Sequence, residues 1–127
     1  MNPIFFPTQN EFRQWLAENH DKETEVIVGY YNVKSGRGGM TWSESVDQAL
    51  CFGWIDGVRR KIDEESYCNR FTPRKAKSNW SASNIERVER LIDAGLMTEH
   101  GQVMIEIAKQ EGRWDVEKAN KLTQVKP

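Results

Sequence analysis

The sequence predicts an α+β domain in which a small antiparallel β-sheet packs against helices, in the order αβαββαα. Three observations lead there. First, three Ser/Thr-x-x-Glu blocks (Thr8–Glu11, Thr41–Glu44, Ser83–Glu86) each stand just ahead of an apolar stripe with helical spacing. Second, two alternating runs, about 54–62 and 67–73, are joined only by Asp63-Glu64-Glu65-Ser66, a connection that suits an antiparallel hairpin. Third, the strand-like runs are too few for a parallel sheet, and no dinucleotide fingerprint accompanies them.

Each element has its own local reason. Phe12, Trp15 and Leu16 follow the Thr8 block and give a first helix over about 9–20. Glu25 to Tyr31 is β-branched and aromatic, so it reads as a strand. A glycine-rich loop fills 32–40. Thr41 then opens a helix with Trp42, Val46, Ala49 and Leu50 on one face, and Gly53 suits the left-handed residue that ends it. After the hairpin, the Ser83 block starts a helix with Ile85, Val88, Leu91 and Ile92 as its stripe, stopped by Gly95. Thr98 caps a last helix, about 99–110, with Val103, Met104, Ile107 and Ala108 inward. The domain is expected over 1–114, with Trp114 as an anchor and a polar tail at 115–127.

Composition narrows the function classes. Eighteen Lys and Arg against nineteen Asp and Glu leave a net charge of −1, so no global field draws in nucleic acid or an anionic membrane. No apolar run approaches the ~20 residues of a membrane span. Ile4-Phe5-Phe6 is followed at once by Pro7 and lacks signal-peptide shape, so a cytoplasmic protein is expected, with Cys51 and Cys68 as reduced thiols. His20 and His100 lack metal-ligand spacing, and no metal or cofactor is called for.

The hairpin and its exit are densest in chemistry. A four-residue turn would pair Ile62 with Tyr67 and Val58 with Phe71, making one face apolar, and would set Arg59 opposite Arg70 beside Lys61, Thr72 and Arg74. Like charges opposite one another destabilise a hairpin, so an internal acid or a bound anion should compensate. Lys75, Ser78 and Trp80 follow, with no acidic residue from Arg70 to Asn84, and the segment feeds the N-terminus of the Ser83 helix, where free N–H groups favour negative charge. The alternative is a solvated basic edge that discourages strand pairing. Asp56 lies on the expected core face. It either forms a bulge with Gly57 and caps backbone N–H groups, or orients an arginine or acts as a base. Cys51 ends a helix, where the dipole argues against a nucleophilic thiol. Gly36-Arg37-Gly38-Gly39 lacks the phosphate-loop pattern and reads as a surface loop.

Three blocks carry a family resemblance: Thr41-Trp42-Ser43-Glu44, Ala49 to Gly57 (Ala-Leu-Cys-Phe-Gly-Trp-Ile-Asp-Gly), and Arg70-Phe71-Thr72-Pro73-Arg74-Lys75. Ser78-x-Trp80-Ser81 with Asn84, and Gly95-Leu96-Met97-Thr98, extend it over roughly 8–114. In these the chain resembles the YdeI/OmpD-associated (bacteriocin-protection) proteins. That family's loose grouping with frataxin-like domains also implies α+β architecture. Longer members continue into a C-terminal helical segment rich in Arg and Lys, whereas this sequence stops at Pro127.

Three readings of function stay open. One is a binding domain for a small phosphate- or carboxylate-bearing ligand, using Arg59, Arg70, Arg74 and Lys75 for charge, Ser78 and Asn84 for hydrogen bonds and Trp80 as a flat surface. Another is an enzyme with Asp56 or Tyr67 as acid/base beside the arginines. The third is a protein-interaction module anchored on Tyr30 and Tyr31.

Overall fold

Side-chain caps set the helix boundaries in the computed structural model, which describes residues 2–114. Thr8 Oγ1 accepts from Glu11 N–H (3.3 Å) and opens α1, Gln9–Asn19, which buries Phe12 and Leu16. Strand β1, Val26–Tyr31, leads through a short 3-10 turn at Val33–Ser35 to α2, Trp42–Cys51. There the Thr41–Glu44 box closes in both directions, at 3.1 and 2.9 Å. Gly53, at φ +73, turns the chain out of α2 and into β2, Trp54–Lys61. Strand β3, Ser66–Pro73, and helices α3, Ala82–Asp93, and α4, Glu99–Gln110, complete the order αβαββαα.

Two helices differ from expectation in detail. Helix α3 is capped by Ser81, whose hydroxyl accepts from Asn84 N–H at 3.2 Å, and Ser83 lies inside its first turn. This start puts Trp80 and Ile85, both buried, at the two positions of a hydrophobic staple. Helix α4 buries Gly101, Ile105 and Ala108, while Val103 is 55 % exposed rather than inward. The reason is a close approach: Gly101, having no side chain, lets α4 press against the carbonyl end of α2.

The sheet is antiparallel in the order β1-β3-β2. On its helix-facing side Val26, Val28 and Tyr30 of β1 stand beside Phe71, Asn69 and Tyr67 of β3. Phe12 lies 5.6 Å from Phe71 and Trp15 5.8 Å from Trp54, so α1 seals this face with aromatic rings.

The hairpin register is a correction to the sequence reading. Lys61, not Ile62, stands opposite Tyr67, because Asp63 Oδ1 accepts from Glu65 N–H and from the Ser66 hydroxyl and tightens the turn. Asp56 then faces Phe71 while Arg59 faces Asn69, so Gly57 and Val58 oppose the single residue Arg70 in a bulge. Asn69 holds it, its buried amide donating to Gly57 O (3.4 Å) and Arg70 O (3.2 Å). One extra residue reverses the alternation beyond it. Val58 turns outward, 57 % exposed, and Arg59 joins the helix-facing side. The expected Arg59–Arg70 repulsion does not exist: Arg70 lies on the other face, its Nε donating to Glu25 at 2.8 Å.

Tyr30 is only 2 % exposed and no surface anchor, while Tyr31 is covered by Phe5 (4.8 Å) and Arg37 (4.5 Å). Among the described residues, no helix is long and apolar enough to cross a membrane. The expected tail at 115–127 lies outside the described residues.

Candidate functional site

The bulge gathers a polar cluster on the helix-facing side of the hairpin. Arg59 lies over the Tyr67 ring at 4.1 Å, and Tyr67 stacks on Tyr30 at 5.0 Å. Ser45 on α2 donates to Trp42 O (2.5 Å), so the contact between Tyr30 and Ser45 (2.6 Å) has the phenol as donor. Burial pushes the Tyr30 phenol far up, against the Ser45 hydrogen bond; Tyr67 and Asp56 push the same way, and Arg59 opposes them. Tyr30 is therefore a neutral strut, and Asp56 and Arg59 are close enough to act on it.

Arg74, just past the end of β3, is the unusual residue. Its backbone N–H donates to Gly53 O (2.8 Å), which fixes the chain where β3 ends. Its side chain turns inward, only 5 % exposed, with the guanidinium 3.7 Å over the Trp80 ring. One amino group donates to Asn79 O. The Nε–H is buried with no partner among the described residues, and none of their carboxylates forms an ion pair with this guanidinium. Burial, and then the nearby Arg113, pull its pKa down to about 10, with Asp56 opposing. A buried charge without a counter-ion is costly, and each buried unmatched donor adds about 1–3 kcal/mol.

The exit loop over this group is stapled from below. Arg113 donates to Ser78 O (2.5 Å) and Ala76 O (2.6 Å), and Trp114 meets Trp80 edge to face at 4.9 Å. Of the sequence-proposed residues, the structure brings Asp56, Arg59 and Tyr67 onto one face and sets Arg74 and Trp80 in contact past the far end of β3, with Asp56 the one of the three near enough to act on Arg74. Arg70 is excluded from the group. Lys75 is exposed on the loop, and Ser78 spends its hydroxyl on Lys75 O (2.7 Å). Asn84 N–H is taken by Ser81, so the start of α3 is already capped. Sequence reasoning missed Tyr30, Asn69 and Arg113 as parts of the arrangement. The one available signal for Arg113 was its place beside the anchor Trp114.

The cysteines separate cleanly. Cys51 is fully buried, and burial raises its thiol pKa, whereas Cys68 is partly open on the outer sheet face. Native protein treated with an aromatic disulfide reagent should therefore release about one equivalent of thiolate quickly and the second only on unfolding. Two fast equivalents would show Cys51 to be accessible. His20 and His100, distant in sequence, have ring centroids 4.0 Å apart in a tilted contact, and His20 Nδ1 donates to Leu16 O (2.8 Å). Among the described residues no group of three or more His, Cys, Asp or Glu is placed to hold a metal ion.

Fold and cluster together define a two-layer α+β domain with a buried arginine beneath its hairpin exit. The chain belongs to the family described as Domain of unknown function (DUF8412), whose model matches residues 4–104. No curated protein and no solved structure matches the chain.

Proposed function

We propose that the domain binds a small phosphate- or carboxylate-bearing ligand at Arg74, with Arg113 and Asp56 as the charged groups near it. The observation that carries this reading is the buried Arg74 guanidinium with its unmatched Nε–H and no carboxylate partner among the described residues. A forked donor held on an aromatic face suits a planar or tetrahedral oxyanion, and the nearby Arg113 guanidinium adds to the attraction. The ligand reaches it by displacing loop 75–79, whose tether is the pair of Arg113 hydrogen bonds. The resemblance to the YdeI/OmpD-associated proteins supports a role for such binding in bacteriocin or stress protection.

The test is a thermal-shift titration with inorganic phosphate and citrate. In wild type, an anion at a hundredfold excess over its dissociation constant stabilises by about 2.7 kcal/mol. Arg74→Met keeps apolar volume over Trp80 but removes the charge. It should leave the free protein as stable as wild type or slightly more so, and abolish the anion response. Arg70→Ala, on the opposite face, should keep that response. Equal stabilisation of wild type and Arg74→Met would overturn the assignment.

A further inference from the structure

β1 lies at the edge of the sheet, and part of that edge is left open. Asn32 N–H donates to Glu65 O (2.7 Å), so the hydrogen-bonded pairs with β3 are those of the even-numbered β1 residues. The N–H and C=O groups of Ile27, Gly29 and Tyr31 therefore point away from the sheet. Ile4 satisfies the first of them, donating to Ile27 O (2.9 Å) and accepting from Gly29 N–H (2.8 Å). Pairing stops there, because Phe6 O is turned toward Met40 N–H at 3.5 Å. Gly29 C=O and Tyr31 N–H then have no hydrogen-bond partner among the described residues. Both residues line a cavity of about 310 Å³.

The walls of this cavity are of two kinds. Phe5, Phe6 and Met40 supply apolar surface, and Gly38 and Gly39 bring bare backbone to the opposite side. Both glycines have left-handed φ (+71 and +96), and a Cβ on either would meet nothing within 4 Å. They are glycines because of backbone conformation, not crowding. Arg37 stands at the mouth, over Tyr31 at 4.5 Å and 3.3 Å from Glu65 in an exposed ion pair, a kind of contact that holds an arginine only loosely.

We infer that this cavity is a binding site for a small planar heterocycle with a donor and an acceptor side by side on one edge, the pattern of an adenine ring. Its amino group donates to Gly29 C=O, and its ring nitrogen accepts from Tyr31 N–H. The flat faces meet Phe6 and Met40, and Arg37 swings from Glu65 to a phosphate carried on the same ligand. A cavity of this size is at the small end of ligand sites, which suits a base or nucleotide. An extended peptide fits poorly. Ile4 occupies the edge on one side and the 38–40 loop closes the other, leaving one carbonyl and one N–H where strand pairing needs a run of them.

Amide NMR of the full chain, titrated with adenine, tests the site. The Tyr31, Gly38 and Gly39 amide signals should move saturably. Purine, which lacks the amino group, and 6-dimethylaminopurine, which cannot donate, should bind about tenfold more weakly or worse. AMP should bind more tightly than adenosine, and Arg37→Gln should erase that difference. Arg74→Met should leave the adenine response intact, so failure of the anion reading and failure of this one are separable. Absence of a saturable Tyr31 shift at millimolar adenine, or equal affinity for purine and adenine, would overturn the assignment. So would a blocked tripeptide that shifts Tyr31 where adenine does not.

Discussion

Gly101→Ala should destabilise the fold by about 2 kcal/mol or more in a urea titration, although the same change in an exposed helix would stabilise it by about 1 kcal/mol. The sign reverses because of what surrounds the residue. A Cβ there would lie 2.5 Å from Met97 Sδ, 2.6 Å from Cys51 O and 2.8 Å from Leu50 O. Met97 can move, but the two carbonyls are the end of α2 and cannot yield without moving that helix. The same carbonyl of Cys51 accepts from both the backbone N–H and the hydroxyl of Thr98, so the positive start of α4 is docked on the negative end of α2. Pushing the helices apart loses those bonds together with the burial of Ile105 and Ala108. Val103→Ala, at a site 55 % exposed on the same helix, is the control and should stay within about 0.5 kcal/mol of wild type. A neutral or stabilising Gly101→Ala would mean that α4 does not dock on α2 in solution.

Phe71→Ala should remove about 3–5 kcal/mol, a large fraction of the roughly 5–15 kcal/mol available to a domain of this kind. Phe71 is fully buried in the central strand, between Val26 on β1 and Asp56 on β2, with Phe12 of α1 above it. The space cannot collapse easily, because three strands and a helix would have to close on it. The informative partner is Val58→Ala. In the unbulged register of a four-residue turn, with Ile62 opposite Tyr67, Val58 would stand opposite Phe71 in the core, and its truncation would cost more than about 1 kcal/mol. With the bulge it lies on the outer face at 57 % exposure, and the loss should be within about 0.5 kcal/mol. Chemical denaturation of both variants thus reads the hairpin register directly. A Val58→Ala loss comparable to that of a buried valine would restore the unbulged pairing.

Elements were legible in the sequence because their signals are local. A threonine followed three residues on by glutamate satisfies helix N–H groups within its own turn, so Thr8 and Thr41 announce α1 and α2 without help from the rest of the chain. Gly53 and Gly95, at φ +73 and +75, announce helix ends for the same reason. Ser81 and Ser83 show the limit of such signals. Both can cap, and the choice rests on Trp80 and Ile85 finding the core together.

The candidate site was legible only as a list of residue types near the hairpin. Alternation assigns side chains to faces only while the count of residues is unbroken. The bulge at Gly57–Val58, held by the Asn69 amide of the neighbouring strand, sent Arg59 to one face and Arg70 to the other. The burial of Arg74 was likewise invisible, since an arginine in a basic run reads as solvated until Trp80, Asn79 and Arg113 are placed around it. So was the open edge at Gly29 and Tyr31, which depends on where Ile4 stops pairing. By itself the sequence determined the α+β order, the start of α1 and α2 and the existence of the hairpin, because these follow from interactions within a turn or between adjacent strands. Tertiary structure alone decided which polar groups meet and which are left without partners, because that depends on register and on contacts between residues far apart in the chain.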